Sequence, residues 1–428
     1  MLRTYLIVLL GLLLWPLATV TAQDRENARL NMSYLCSPDM YGRGYYKHGD
    51  SIAAQYIAQK FEDEGVEPIN GSYFQNFSFN VNTFPGEMQM NIDGVDLVQG
   101  YSFLVDPSSA SIEGTYELAW LDSTVLFTKS LYKKFKKHIH DKVIAVDGSD
   151  FKSKEKKDLL NAIVRGNKFK AKAILVVTGG KLTWSVSQEQ APFASFIVKS
   201  DKVNSGSRKV TFKVDAEYVK GYHTRNVVGY IRGTDYPDKF IAITAHYDHL
   251  GQMGKYIYFP GANDNASGVA MLLDFVRHYR YYHPKYSILF IAFAGEEAGL
   301  VGSKYFVENP LVPLTKIRFL MNMDLMGTGA KGITVVNATV FPDETAMMFD
   351  INRFQRYVYA INQRGKAANS DHYWFTEKGV HSMFIYQMGD YTYYHDVFDS
   401  LDKLPLDGYA GTFYLIRDLL KEIMNRHL

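Results

Sequence analysis

Three short stretches of the sequence place histidine and carboxylate side chains where they could bind metal ions or transfer protons. They are Thr244-Ala245-His246-Tyr247-Asp248-His249, Gly261-Ala262-Asn263-Asp264-Asn265-Ala266-Ser267-Gly268 and Ala294-Gly295-Glu296-Glu297-Ala298-Gly299-Leu300. Each also has an ordinary structural interpretation, because such residues cap turns, begin helices and complement the dipole of a first helical turn. No single stretch therefore identifies a catalytic site.

Two further stretches make the pattern specific. They are Asn322-Met323-Asp324-Leu325-Met326-Gly327 and Tyr394-His395-Asp396-Val397-Phe398-Asp399. In this order and spacing, the five stretches together resemble the M28 family of zinc aminopeptidases. The resemblance covers the chain from Asn226 to its C-terminus, and also Met40-Tyr41-Gly42-Arg43 with the helix after it. It implies a zinc-exopeptidase type of fold and a site with two metal ions.

The resemblance implies five metal ligands and two Zn²⁺ ions. His246 and Asp324 would hold one ion, Glu297 and His395 would hold the other, and Asp264 would bridge both. Imidazole and carboxylate ligands suit zinc, and three protein ligands per ion leave room for solvent. A shared carboxylate also offsets the repulsion between two ions roughly 3.5–4 Å apart.

Three more residues receive catalytic roles from the same resemblance. Glu296 would be the general base that takes a proton from a metal-bridged water and returns it to the leaving amine. Asp248 would orient His246 through the free nitrogen of its ring, an arrangement that fixes the tautomer. Tyr394 has two interpretations, since its hydroxyl could stabilise the tetrahedral intermediate or its ring could simply pack in the wall of the site.

Other residues near these motifs either follow or depart from the family pattern. Ser370-Asp371-His372 resembles another family stretch near the site, and Asp399 is expected to orient His395. His381 stands where relatives usually carry proline, and Asp396 stands where a small hydroxyl residue is common. These departures affect the substrate entrance and leave side-chain specificity open.

The elements that must position these side chains are strands alternating with helices after Asn226. Phe240–Ala245 and Ser287–Ala294 are almost continuous apolar runs, as expected of strands buried on both faces. The pattern predicts an α/β fold with a mixed, mostly parallel sheet flanked by helices. Since ligands bind at the carboxyl ends of such strands, the polar residues after each run are expected to meet at one edge.

Changes in the pattern of apolar and polar residues divide the chain into four predicted parts. They are a signal peptide over residues 1–22, an N-terminal part of the catalytic domain over 23–85, a β-rich insert over 86–218 and the main catalytic domain over 219–428. The insert resembles a protease-associated domain. That resemblance rests on Asp141-Lys142-Val143-Ile144-Ala145-Val146 and Lys172-Ala173-Ile174-Leu175-Val176-Val177. The insert could limit substrate length or serve as a structural module.

The first residues combine Arg3, an apolar run and small residues before Gln23, which is typical of a cleaved signal peptide. The sequence therefore predicts an exported protein, periplasmic or extracellular, with no stable membrane insertion after cleavage. With 47 basic and 45 acidic residues, the charge balance gives no indication of nucleic-acid binding. The single cysteine, Cys36, excludes an internal disulfide.

The sequence supports one leading function and keeps others open. The leading hypothesis is a metallo-aminopeptidase acting on peptides with a free N-terminus. A carboxypeptidase or a glutaminyl cyclase could use the same fold, and a non-catalytic binding module is the remaining alternative. The sequence contains no Gly-x-Ser-x-Gly, His-Glu-x-x-His or phosphate-binding Gly-x-x-x-x-Gly-Lys-[Ser/Thr] motif, which argues against other hydrolase mechanisms.

Overall fold

The computed structural model of the chain describes residues 25–151 and 153–426. The predicted signal peptide, residues 1–22, lies outside the described residues. None of the helices in the described part has the length and apolar character needed to cross a membrane.

The N-terminal part contains two helices and two strands: α1 (Arg25–Leu35), α2 (Gly49–Asp63), β1 (Glu67–Pro68) and β2 (Phe74–Thr83). A 3₁₀ segment, Pro38–Arg43, connects the helices. Helix α2 buries Ile57 and Phe61 on the apolar face that their spacing predicts. It ends just before Gly65, whose positive φ of 72° reverses the chain.

Residues 88–214 form a second sheet with eight strands in the described chain. They are β3 (Met88–Ile92), β4 (Val95–Leu97), β5 (Phe103–Val105), β6 (Ile112–Trp120), β7 (Val143–Asp147), β8 (Ala173–Thr178), β9 (Ala194–Lys199) and β10 (Lys209–Val214). This segment also carries helices α3 (Ser123–Phe127), α4 (Lys129–Lys137) and α5 (Lys154–Gly166). The insert is thus rich in strands, as the sequence predicts, and its described residues also contain three helices.

The two faces of this second sheet have different neighbours. On one face, Ile144 and Val146 pack with Leu160 and Ile163 of α5. On the other face, the core continues into the catalytic domain through residues such as Phe259. The insert is therefore joined to the catalytic domain by a shared apolar core.

The rest of the chain completes the larger sheet and provides its covering helices. The strands that it adds to this sheet are β11 (Glu217–Ile231), β12 (Tyr236–His246), β15 (Tyr286–Phe293), β16 (Ile317–Met323), β17 (Gly332–Val336), β18 (Ile361–Gln363) and β19 (Ser382–Met388). Strands β13 (Gln252–Met253) and β14 (Ile257–Tyr258) pair with each other in a separate two-stranded sheet. The helices of this part are α6 (Ser267–Tyr281), α7 (Val301–Glu308), α8 (Pro342–Gln355), α9 (His372–Glu377) and α10 (Tyr409–Asn425). The predicted run Phe240–Ala245 lies within β12, and the run Ser287–Ala294 lies in β15 except for its last residue.

In the described chain the larger sheet has nine strands, in the order β1-β11-β15-β12-β16-β19-β17-β18, with β2 also paired to β11. The four central strands, β15, β12, β16 and β19, are parallel. The flanking pairs are antiparallel, except that β17 and β18 run parallel. The predicted mixed α/β class is confirmed, with the parallel pairing concentrated in the centre.

The carboxyl ends of these four central strands lie side by side, and each leads directly into one of the motifs. His246 is the last residue of β12, Glu296 and Glu297 follow β15, Asp324 follows β16, and His395 lies in the loop after β19. Strand β15 is buried along its whole length, as expected between two helical layers. The parallel order therefore brings the motif residues to one edge of the sheet.

Candidate metal centre

Asp264 lies between two histidines at this edge. Its Oδ1 atom is 3.3 Å from Nε2 of His246, and its Oδ2 atom is 3.0 Å from Nε2 of His395. His246 Nε2 is also 3.4 Å from Asp324 Oδ2, and His395 Nε2 is 3.1 Å from Glu297 Oε2. The five predicted ligands thus form two groups that share Asp264.

The donor set fits divalent metal ions. Buried atoms of three of these residues, Nε2 of His246, Oδ2 of Asp264 and Oδ1 of Asp324, have no hydrogen-bond partner. Within residues 25–151 and 153–426, the ion pairs of Asp264, Glu297 and Asp324 involve histidines and no lysine or arginine. Buried carboxylates need a compensating positive charge, and nitrogen and oxygen donors of this kind suit zinc.

The electrostatics of the histidines also favour positive charge here. Burial opposes the charged form of His395, but Glu297 and Asp264 outweigh it and raise the pKa of His395 to about 11. The pKa of His246 is likewise raised well above its usual range, since Asp324 and Glu296 outweigh the effect of burial. In both cases the carboxylates stabilise a cation at the position where a metal ion would lie.

Glu296 differs from its neighbour Glu297 in its surroundings. One of its carboxylate oxygens lies within 4.8 Å of a ring nitrogen of His246 and a carboxylate oxygen of Asp324. Burial raises the pKa of Glu296 well above its usual range, and the nearby carboxylates, Glu297 first, add to the effect of burial. A carboxyl group beside the ligands with a raised pKa is suited to accept and return a proton.

Asp248 has a different geometry from the predicted one. Nδ1 of His246 is 3.2 Å from the backbone carbonyl of Asp248, whereas the nearer carboxylate oxygen is 3.8 Å away. The carboxylate instead accepts hydrogen bonds from the Tyr45 hydroxyl at 2.5 Å and from the backbone N–H groups of Glu296 and Glu297, each at 3.2 Å. The carbonyl therefore orients His246, and the carboxylate holds the two glutamates, because three donors compete for it.

Asp399 does not orient His395, contrary to expectation. Its carboxylate accepts the backbone N–H groups of Asn263 at 2.8 Å and Asp264 at 3.0 Å. The ring nitrogen Nδ1 of His395 lies 2.9 Å from the backbone carbonyl of Trp184, a residue of the insert. Asp399 thus fixes the loop of Asp264, and the partner of His395 could not be found from sequence because a carbonyl has no side-chain signature.

His249 is a site residue that the sequence reasoning missed. Its Nδ1 atom is 2.7 Å from Glu297 Oε1, and its buried Nε2 atom has no hydrogen-bond partner. The ring also packs edge-on against His395, with centroids 5.9 Å apart. The signal was present in the sequence, because His249 is the second histidine of the stretch that contains His246.

Arg43 is a second missed residue, although the stretch containing it carried part of the family resemblance. The side chain is fully buried. Its guanidinium donates to five backbone carbonyls, those of Leu35, Tyr247, Pro260, Gly261 and Asp264, at 2.7–3.3 Å. Arg43 therefore ties the N-terminal part of the chain to the loops that carry His246 and Asp264.

Tyr394 stacks on its neighbour His395, with ring centroids 3.9 Å apart and an interplanar angle of 13°. Although 44% of the residue is exposed, burial of its hydroxyl, together with the charges of Asp264 and Glu297, raises the pKa of Tyr394 above its usual range. The charges of these carboxylates thus oppose ionisation of the Tyr394 hydroxyl.

Asp371 and His372 lie at the start of α9 and are both fully buried. Burial raises the pKa of Asp371 to about 7, and the charges of Asp248 and Asp324 act in the same direction. The preceding residue, Ser370, accepts a hydrogen bond at 2.8 Å from Asn322, which lies near the end of β16. The predicted Ser370-Asp371-His372 stretch therefore packs beside the ligand loops.

Solved structures share this fold over nearly the whole chain. A zinc aminopeptidase from Bacillus subtilis aligns with a TM-score of 0.69, covering 93% of this chain and 94% of that chain at 19% identity. An aminopeptidase from Aneurinibacillus sp. strain AM-1 aligns with a TM-score of 0.65, covering 94% of both chains at 20% identity. The protein therefore has the fold of the zinc aminopeptidases.

Sequence comparison matches part of the chain to one family of peptidases. Residues 226–420 match Peptidase family M28. A probable zinc metalloprotease from Pyricularia oryzae is 34% identical over 127 residues, which cover 27% of this chain and 25% of the relative. Aminopeptidase YwaD from Bacillus subtilis is 27% identical over 193 residues, covering 42% of this chain and 40% of the relative. The matches thus span a quarter to two-fifths of these relatives, and residues 226–420 of the chain are similar to peptidase family M28, the family that its motifs predicted.

Proposed function

We propose that the protein is a dinuclear zinc aminopeptidase that removes N-terminal residues from peptides with a free amino terminus. The observation that carries this proposal is the position of Asp264 between His246 and His395, with one carboxylate oxygen facing each ring. A carboxylate shared by two histidine-containing groups is what a two-metal hydrolase requires. The relatives named as zinc metalloprotease and aminopeptidase support the same function.

The proposed ligands divide between two ions. His246 and Asp324 would hold one ion, Glu297 and His395 would hold the second, and Asp264 would contribute to both. When bound, the two zinc ions would lower the pKa of the attacking water and polarise the scissile carbonyl.

The protein's own residues would then move the protons. Glu296 accepts the proton of the attacking water and donates it to the leaving amine, in keeping with a carboxyl group whose pKa is raised. The Tyr394 hydroxyl, which is near the carboxylates, would donate a hydrogen bond to the oxyanion as it forms. Asp248 holds Glu296 in position through the backbone N–H of that residue.

The charges around the site favour binding of an amino terminus. A carboxypeptidase needs a cation for the terminal carboxylate, commonly arginine. Arg318 lies at the beginning of β16, whereas Asp324 follows its end, so their backbones are separated by about six residues of strand, or roughly 20 Å. Arg364 follows the edge strand β18 and donates to the Tyr386 hydroxyl at 3.1 Å. The carboxylates at the rim would instead attract an ammonium group.

One mass-spectrometric time course tests the proposal, using zinc-loaded protein and three versions of one glutamine-first peptide. The unmodified and C-terminally amidated versions should lose their first residue, while the N-acetylated version should stay intact. A chelator should stop the reaction. Loss of C-terminal residues would indicate a carboxypeptidase, and pyroglutamate formation without cleavage would indicate a cyclase. Zinc binding without turnover of any version would indicate a binding module.

We also propose that the enzyme is exported, on the basis of the signal-peptide pattern in residues 1–22. The measurement is the intact mass of the protein recovered from outside the cytoplasm. A mass beginning at or near Gln23 supports export with cleavage. Recovery of only the full-length chain from the cytoplasm would contradict it.

A further inference from the structure

We propose that the insert positions the metal ligands of one of the two ions through residues 181–190, which we call the bridging segment. The proposal rests on the proposed dinuclear site. The bridging segment would hold the loop of His395 and the loop of Glu297 in fixed positions relative to each other. These two residues are the ligands of the same proposed ion.

The first contact joins the backbone of Trp184 to the backbone and the ring of His395. The Trp184 N–H donates to the carbonyl of His395 at 2.9 Å, and the Trp184 carbonyl lies 2.9 Å from Nδ1 of His395. Because this carbonyl can only accept, it requires a proton on Nδ1 and leaves Nε2 free to bind metal. Trp184 thereby sets both the tautomer and the direction of the ring.

The backbone of His395 needs such support. Its φ angle is 53°, in the left-handed region that residues with a Cβ atom rarely adopt. Such a conformation persists only where the surrounding structure holds it. The two hydrogen bonds between Trp184 and His395 provide part of this restraint.

Trp184 is itself firmly anchored. Its ring stacks on Phe259 of the catalytic domain, with centroids 4.9 Å apart, and also contacts Phe84 at 6.0 Å. Its indole N–H donates to the carbonyl of Val105 in the insert at 2.7 Å. The backbone that holds His395 is therefore fixed to both parts of the protein.

The second contact is made by the Lys181 side chain, which binds three groups of the same loop. The Lys181 ammonium donates to the backbone carbonyls of Thr392 at 2.8 Å and Tyr394 at 3.0 Å. It also lies 2.7 Å from Oδ2 of Asp396, whose side chain is only 4% exposed. Removal of the lysine would leave a buried carboxylate unpaired on the residue next to His395.

The other end of the bridging segment contacts the loop of the glutamates. The Gln188 amide donates to the carbonyl of Ala298 at 2.7 Å, one residue after Glu297. The segment is held there by Tyr218, whose hydroxyl donates to the Gln188 carbonyl at 3.1 Å. One segment thus contacts both loops whose side chains share an ion, and neither contact involves His246 or Asp324.

The test is a metal titration of metal-free protein with Co²⁺, followed by absorption spectroscopy, for the wild type and Lys181→Met. We expect one Co²⁺ ion to bind as in the wild type and the other to bind about 10–100-fold more weakly, the usual cost of removing a group that supports a metal ligand. Lys181→Arg, which keeps the cation, should restore most of the affinity.

Lys142→Met is the matched control. Lys142 also lies in the insert, pairs with Glu117 and has a similarly exposed side chain, 37% compared with 40% for Lys181. It should bind both ions normally. Equal weakening of Co²⁺ binding in Lys142→Met would overturn the proposal. It would also be overturned if Lys181→Met bound both Co²⁺ ions with wild-type affinities and an unchanged absorption spectrum. If Lys181→Met does not fold, Gln188→Leu tests the other contact with the same expected loss and the same overturning result.

The titration also separates this inference from the proposed function. If the wild type binds fewer than two ions, the dinuclear function fails, and the inference fails with it. If the wild type binds two ions and the variants do too with unchanged affinity, only the inference fails.

Discussion

Glu296 and Glu297 are adjacent in the chain, but their surroundings shift their pKa values in opposite directions. Burial raises the pKa of Glu296 well above its usual range, with nearby carboxylates adding to the effect. Burial acts in the same direction on Glu297, but His395 outweighs it and lowers the pKa of Glu297 to about 2. The histidine thus stabilises Glu297 as an anion, as a metal ligand requires, whereas burial and nearby carboxylates increase the proton affinity of Glu296, as a general base requires.

Glu296→Gln tests this division of roles. The amide keeps the shape of the side chain but cannot accept the proton, so we expect kcat to fall about 10²–10⁴-fold with metal content unchanged. Asp264→Ala should instead lose bound metal, because Asp264 faces both histidines. Metal analysis and peptide hydrolysis measure both effects. The exposed Glu308→Gln on α7 is the control, and wild-type turnover in Glu296→Gln would refute the mechanism.

Tyr394→Phe tests the role of the hydroxyl. Phenylalanine keeps the ring that stacks on His395, so a change reports on the hydroxyl alone. We expect kcat to fall about 10²–10³-fold with little change in KM, as for removal of one oxyanion donor. Tyr393→Phe is the control, because that ring contacts Tyr391 and Phe398. Equal kinetics for the two variants would support the packing role of Tyr394.

Arg43→Met tests the buried guanidinium that joins the N-terminal part to the ligand loops. Its removal leaves five buried carbonyls without their donor, so we expect the free energy of unfolding of the metal-free protein to fall by about 3–5 kcal/mol. Arg43→Lys should lose less, since an ammonium still provides three donors. Urea denaturation measures the effect.

The control for this experiment is Arg280→Met. Arg280 forms an ion pair with Glu64 with a side chain that is 44% exposed, and such surface pairs contribute about 0–1 kcal/mol. A loss for Arg43→Met no larger than for Arg280→Met would contradict the role assigned to Arg43.

His278 predicts a pH dependence of stability away from the metal centre. Burial, with help from Arg417, lowers the pKa of His278 from 6.5 to about 4. Below pH 6.5 the unfolded chain therefore binds the proton more readily than the folded protein, and stability falls until the pH reaches about 4. His278→Phe removes this titration and keeps an aromatic ring against Tyr282, which the histidine ring stacks on at 4.7 Å.

The measurement is the urea midpoint of the wild type and His278→Phe at several pH values in this window. The variant should gain stability relative to the wild type as the pH falls. Parallel curves for the two proteins would show that His278 does not titrate as assigned.

The sequence by itself determined the class of fold and the five candidate ligands that meet at the site. The buried strands were visible because a strand covered on both faces must be apolar, as in β15. The candidate ligands were implied by the resemblance of the motifs to family M28, and His246, Asp264 and His395 are of the few side-chain types that metal chemistry allows as donors.

The tertiary structure alone decided how these side chains are oriented. His395 is directed by the carbonyl of Trp184, 211 residues away, and the loop of Asp264 is held by Asp399 and by the guanidinium of Arg43. Backbone groups occur at every residue and carry no sequence signal, so only the folded chain identifies which of them are used. For the same reason, the sequence could assign Asp248 to His246 but could not show that three other donors occupy its carboxylate.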